Sequence, residues 1–475
     1  MLHNQKWGID MATARGLSLI ASSIVALTGC QAIEVSDFKA LNPLKPLATE
    51  AEELGASNDA TQTDALPTLL NMIGTAGAKV NVDAGFAEAL GAAVKNDPRV
   101  ISAQSELAAR KAGARLTASG KDFNFDATVL GGIEDVTDET AGVVTILRAN
   151  RMVFDGGQID AKIEADTYAV KAAEAALQAT MNERGARLAY AWIELERYRA
   201  LQNLIDSRLS ILDPLLLQLE KVAASGVGDM SMVASAQRTV SLIRVTQTDV
   251  SEKLAQAEVA FKNGFGTLPS QATYNASLIS KSVPTDDIEK LAQNAPALLA
   301  EYYAYRSAEA NVAAVKALDN FNVAFEAKVQ SPLANSTYSS DESLGLVVTK
   351  KFFRGDQLKS RVENAEAAAA AQSDRVRSIF RDGEQAVNSA RQMILSMDKA
   401  IQLALKNAQI TRDEIDYLRK QLIIGGSTLE SVLSAEAQLY DAESKEIGFI
   451  AERRKAEVTI LATTGRLSKI IGADG

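Results

Sequence analysis

Histidine and cysteine each occur once in these 475 residues, at His3 and Cys30. A single cysteine excludes an internal disulfide, so packing and hydrogen bonding must hold the fold. Aromatic residues make up only 5% of the chain against 47% apolar residues overall. The apolar content is therefore aliphatic and alanine-rich, as in long helices packed closely through small side chains. Positive charge is also short: 50 Lys and Arg stand against 60 Asp and Glu, a formal net charge of -10. That balance argues against a nucleic-acid partner, which needs a basic surface. Long apolar runs are missing too. The run at residues 17–27 has eleven apolar or small residues, about half of the 20 or so that a helix needs to cross a bilayer.

Lys6 and Arg15 precede that run and "LTGCQ" (27–31) closes it, the layout of a secretory signal. Leu27-Thr28-Gly29-Cys30 resembles the bacterial lipobox. The resemblance implies cleavage before Cys30, acyl chains such as palmitate on its sulfur, and acylation of the new N-terminus. Gln31 and Ala32 follow in place of aspartate, which by resemblance to Gram-negative lipoprotein sorting implies the outer membrane. Cleavage there also removes His3. Without imidazole or free thiol, the usual metal ligands and the Ser-His and Cys-His nucleophile pairs are excluded. Carboxylate-only and Ser-Lys chemistries survive this test, but charge runs on long helices are solvated faces. No catalytic residue, metal or cofactor is expected, and the chain does not read as an enzyme.

Residues 30–83 lack periodicity and carry Pro43, Pro46 and Pro67 around acidic Glu50, Glu52 and Glu53, which reads as a tether. Beyond it the chain repeats itself. "NDPRV" (96–100) answers "NAPAL" (294–298), "VFDGGQI" (153–159) answers "FFRGDQL" (352–358), and "GVGDMSMVASAQRTV" (226–240) answers "GGSTLESVLSAEAQL" (425–439). Pro98 and Pro296 are 198 apart, whereas Phe154 and Phe353, like Gly226 and Gly425, are 199 apart. Three matches in one order at nearly one offset define a tandem duplication over 84–270 and 285–470.

Each half reads as a short helix, two strands, a very long helix and a return helix. The strand pairs fall at 121–155 and 320–353. In "DFNFDATV", Phe123, Phe125, Ala127 and Val129 alternate with Asp122, Asn124, Asp126 and Thr128, and "FNVAFEAKV" repeats the pattern from Phe321 to Val329. Return strands carry Arg151 and Lys350 at equivalent depth, either as solvated strand-end charges or reaching toward lipid phosphates. The long segments, 157–224 and 356–424, hold 68 and 69 residues, rods of roughly 100 Å at 1.5 Å per residue. Pro214 should kink the first of them unless its neighbours absorb the lost hydrogen bond. "SGVGD" and "IGGST" then supply glycine for a left-handed turn and Asp229 or Ser427 to cap the return helix, Ser427 with Glu430 as a capping box. The alanines of "AEAAAAAQ" (365–372) read as close helix contacts.

Strands with one apolar face and about nine alternating residues suit a membrane barrel. Four cannot close, and an open edge in lipid leaves backbone groups unpaired, so the barrel must be shared between copies of the chain. The doubled order of elements, the "FDGG" step and the pattern Gly226, Val233, Ala236, Val240, repeated as Gly425, Val432, Ala435, Leu439, resemble the TolC-type outer-membrane efflux family over about 84–470. The resemblance implies an α+β membrane protein: a homotrimer with a 12-stranded β-barrel continued by a long α-helical coiled-coil tunnel, four strands and two helical repeats per chain. It implies an exit duct for efflux or type I secretion, held in outer-membrane lipid and docking on a periplasmic adaptor and an inner-membrane pump of RND or ABC type.

On this reading Gly226, Gly228, Asp229, Gly425, Gly426 and Ser427 form the periplasmic hairpin tips. Asp122, Asn124, Asp126, Asn322, Glu326 and Lys328 line the lumen, and Phe123, Phe125, Val129, Phe321, Phe325 and Val329 face lipid. The family's acidic ring positions are here Ser431 and Ser434, and its gate-locking tyrosine and arginine positions are Leu422 and Ser427. The tip is therefore expected to close by packing of Leu422, Ile423 and Leu429, with Asp229 and Glu430 as the nearest acids. A lipid-anchored periplasmic coiled-coil adaptor or envelope spacer is the rival reading; it explains the hairpins but not the two strand pairs.

Overall fold

The computed structural model describes residues 80–135, 140–226, 229–270, 276–283, 292–333, 336–350 and 356–472. The signal, Cys30, the tether up to residue 79, Gly228, Phe352 and Phe353 lie outside the described residues. Val80 and Val82, at the tether's end, are buried.

Helix α1 (Phe86–Lys95) buries Phe86, Leu90 and Val94, spaced one helical turn apart. A second helix starts at once, because Asp97 caps it. Its carboxylate accepts the Arg99 N–H at 2.9 Å, and Pro98 takes the first position of α2 (Pro98–Ser119), where a missing N–H costs nothing. Asp97 also pairs with Arg184 at 2.6 Å, tying the start of α2 to the first rod.

Strands β1 (Asn124–Asp135), β2 (Thr140–Phe154), β3 (Asn322–Pro332) and β4 (Asp341–Thr349) form one antiparallel sheet in chain order. Its register sets Ala127 beside Leu147, Leu147 beside Val329, and Phe325 between Arg151 and Leu346. The alternation in the sequence thus becomes a largely apolar face, with Arg151 and Glu342 toward its two ends. The opposite face carries the rows Asn124, Asn150, Glu326 and Asp126, Arg148, Lys328. β1 and β4 each have a single strand neighbour among the described residues, and all of β4 is exposed.

The rods are α3 (Gln158–Ala224) with 67 residues and α7 (Asp356–Ile423) with 68. Their return helices are α4 (Met230–Phe265) and α8 (Leu429–Thr463). Short α5 (Ala276–Ser282), α6 (Pro296–Ala317) and α9 (Leu467–Ile470) complete the chain. α3 stays helical through Pro214, where the adjacent Leu212 is fully buried and Asp213 pairs with Arg244 of α4 at 2.9 Å.

Near the sheet α2 and α6 flank α3, and α7 packs on α6, so the helix order repeats the strand order. Farther from it α4 and α8 flank α3, and α7 packs on α8. α6 and α8 abut end to end at Pro296 and Gly465. Gly465 has φ +71, and a Cβ there would stand 2.4 Å from the Pro296 side chain. α6 is thereby shared by both rods. Of "AEAAAAAQ" only Ala365 is buried, because α7 lies at the edge of this layer; α6 holds it through Lys316–Glu366 and Glu301–Gln372.

The scarce aromatics gather where α1, α3 and α4 meet. Trp192 contacts Phe86 at 5.4 Å, Phe261 at 5.2 Å and Phe265 at 5.5 Å between centroids, and all four are buried. Away from this cluster the distal core is aliphatic: Ile205, Leu212 and Leu219 of α3 meet Val233, Val240 and Leu433. Replacing Trp192 with Ala is expected to cost about 3–5 kcal/mol. Trp192→Phe should cost less, since the indole N–H has no hydrogen-bond partner to lose; thermal unfolding of the two variants checks the order.

Candidate functional site

Asn124, Asp126, Asn322, Glu326 and Lys328 fall on the polar face of the sheet, as expected, in registered rows. Lys328 bonds Asp341 of β4 at 3.2 Å. Asp122 precedes β1, donating its N–H to the Ser119 carbonyl at 2.9 Å. It borders an open cavity of about 740 Å³ at the foot of the sheet, with Asn124, Asn150 and Glu326. One feature runs against the alternation. Val144 and Ile146, on this same face, are buried at the far end of β2.

The apolar face is broadly exposed. Phe125 is 72% accessible, and Val129, Leu147, Val329, Leu344 and Leu346 are exposed beside it, a contiguous patch of the kind that marks a membrane or partner surface. Phe325 is half-buried, its ring meeting Phe123 edge-on at 5.9 Å. Phe321 lies just before β3 and packs on Phe154 at 5.0 Å. Arg151 stays within the chain: its Nε donates to the Lys121 carbonyl at 3.1 Å and its guanidinium lies 5.1 Å from the centre of the Phe123 ring. Lys350 follows the end of β4.

At the other end of the rods, Gly226 (φ +79) and Gly425 (φ +80) take the same left-handed conformation, which glycine adopts without a Cβ clash. Asp229 caps α4, accepting the Ser231 N–H at 2.8 Å, and that bond lowers its pKa below the ordinary carboxylate value. In the second tip Thr428, not Ser427, is the cap. Its hydroxyl accepts the Ser431 N–H at 3.1 Å and α8 begins one residue later than the Ser427–Glu430 box requires. Gly426 lies against the side chain of Gln421.

The structure does not gather the expected gate residues into one cluster. Leu429 packs into the core between α3, α4 and α8, Leu422 and Glu430 are half-buried, and Ile423 is 85% exposed. Ser431 is engaged with Thr428, and Ser434 is exposed. What the sequence reading missed is an ion network above the tip. Glu436 of α8, almost fully buried, accepts from Arg208 of α3 at 2.7 Å and from Arg419 of α7 at 2.8 Å. Glu443 takes Arg208 at 2.6 Å and Arg412 at 2.8 Å. The signal was present: Arg412 and Arg419 are seven residues apart, as are Glu436 and Glu443, so two antiparallel helices align them two turns apart.

Residues 288–466 match the family model described as outer membrane efflux protein. That stretch of the second repeat is similar to the outer membrane efflux protein family. No match was found among curated proteins. Solved structures of the same shape include CusC, at 17% identity and TM-score 0.69, covering 80% of this chain and 91% of that one. VceC from Vibrio cholerae has 17% identity and TM-score 0.66, covering 79% and 95%. The open-state MtrE channel of Neisseria gonorrhoeae has 15% identity and TM-score 0.66, covering 80% and 88%. At these identities the likeness is one of fold, and it extends over both repeats.

The cap assignment has a direct check. Thr428→Ala should cost about 1 kcal/mol and speed hydrogen exchange in the first turn of α8, whereas Ser427→Ala should leave that exchange unchanged.

Proposed function

We propose that this chain is one third of an outer-membrane exit duct: a homotrimer whose sheets close into a 12-stranded barrel and whose helices continue it as a tunnel into the periplasm. One observation carries this reading. The sheet has an apolar face, a polar face and two edges unpaired among the described residues, and it runs into helices laid side by side in the same order. In lipid the edges demand partners, and copies of the same sheet supply them. On this reading the apolar face meets acyl chains and Asp122, Asn124, Asp126, Asn322, Glu326 and Lys328 line a water-filled lumen.

The helix edges match the sheet edges. α7 exposes Leu403, Ile410 and Tyr417, each seven residues from the last, a seam that suits a helix of the next subunit. Conduction is passive, and the energy comes from an inner-membrane pump of RND or ABC type joined through a periplasmic adaptor at the two tips. Cys30 carries the lipid that adds a second hold on the outer membrane of a Gram-negative cell. CusC forms a transmembrane channel, VceC is an outer membrane protein and MtrE is an outer membrane channel, which supports the same role here.

The test is the detergent-purified particle, expected to be a three-fold hollow cylinder well over 100 Å long that produces conductance steps in planar bilayers; a monomer soluble without detergent would overturn the reading. Phe125→Lys on the apolar face should impair insertion, at about 2–4 kcal/mol near the bilayer midplane. Asp126→Lys should insert normally and shift the reversal potential toward anions. Ile410→Asp should leave the subunit helical by circular dichroism while shifting the particle from trimer to monomer in light scattering.

A further inference from the structure

α5 lies in the connection between the repeats, after α4 and before α6, and two adjacent side chains hold it. Ile279 is fully buried in the core that contains Phe86 and Trp192. Ser280 donates its hydroxyl to Oε1 of Glu457, on α8, at 2.7 Å. Glu457 is 2% exposed, and the same oxygen accepts from Arg453, one turn earlier on α8, at 2.5 Å. Its second oxygen, Oε2, is buried without a hydrogen-bond partner. Arg453 also bonds Asp398 of α7 at 2.5 Å. α5, α7 and α8 therefore meet at two carboxylates that share one guanidinium. No other cation joins them among the described residues: Lys281 of α5 is exposed, and Arg454 and Lys455 of α8 turn to Glu196 and Glu194 of α3. A buried carboxylate with one oxygen unpaired and a shared counter-charge costs far more than the neutral acid in the same place.

We propose that Glu457 is a proton-binding site that couples ambient acidity to the hold of α7 and α8 on α5: as pH falls Oε2 takes a proton from solvent, the cluster becomes neutral, and the joint between the repeats tightens. Both bonds to Oε1 survive protonation, and Arg453 is left with one charged partner, Asp398, which is half exposed so that water supports its charge. Burial holds the Glu457 carboxyl above the ordinary glutamate range; Ser280 and Arg453 oppose this, and Asp398 adds to it. The folded chain thus binds the proton more tightly than the unfolded one. Stability at the joint is present at acid pH and is lost as pH rises from the ordinary glutamate value through the raised one. The clasp acts whether or not the chain conducts, so its test stands apart from that of the channel reading.

Hydrogen exchange of the full-length protein in detergent, corrected for the intrinsic effect of pH, reads the joint directly. In the wild type, protection at 279–283 and 453–460 should fall about fivefold between pH of about 5 and about 8, while protection at 233–243, in the distal core, stays level. Glu457→Gln, uncharged throughout, should keep the acid-side protection at every pH. Asp398→Asn leaves Arg453 to Glu457 alone and should move the step to lower pH, which loss of a merely structural tie would not do. A wild type without the step, a step that survives Glu457→Gln, or a step that Asp398→Asn leaves in place or raises would overturn the proposal. If Glu457→Gln does not fold, the wild-type step and its displacement in Asp398→Asn decide the matter.

Discussion

The architecture turns on two strand edges that have no strand partner among the described residues. The N–H and C=O groups along β1 and β4 face outward from a four-stranded sheet whose apolar face suits lipid. Each such group left unsatisfied in hydrocarbon costs several kcal/mol. Entering the membrane and joining other copies are therefore one requirement on the proposed reading. The helices inherit it, because α2 and α4 stand at one side of the layer and α7 at the other, as β1 and β4 bound the sheet.

The packing divides along the rods. Near the junction of the repeats, the few large rings close the space between α1, α3 and α4, with Trp192 at the centre. Toward the tips, small and branched aliphatic side chains keep the helices close, and Ala236 and Ala435, at equivalent places in the two return helices, are both buried. Polar ties between the hairpins thin out in the same direction and end at Arg208. The distal ends of the two hairpins thus meet through apolar contact.

The duplication was legible because each landmark is a backbone necessity. Gly226 and Gly425 both adopt positive φ, and Pro98 and Pro296 both open a helix. The doubled pattern after the turns was also informative: Val233, Ala236 and Val240, like Val432, Ala435 and Leu439, are all core positions. Finer choices were not legible. Ser427 and Thr428 are both hydroxyl residues before a helix, and only the path of the backbone decides which one reaches the free N–H of Ser431. The alanines of 365–372 look like a packing seam, yet most of them are exposed at the margin of α7. The matched spacing of Arg412 and Arg419 with Glu436 and Glu443 signals half of the network, but Arg208 stands more than two hundred residues before them and joins only where three helices meet.

By itself the sequence determined the repeat, the alternation of the strands, the length of the rods and the turns between them, because each depends on neighbours within a few residues. Tertiary structure alone decided that α6 serves both rods, that α7 lies at the margin, and that Arg208 bridges two acids of α8. Those outcomes depend on which faces meet across the chain, and periodicity fixes a helix's faces without naming the surface each will find.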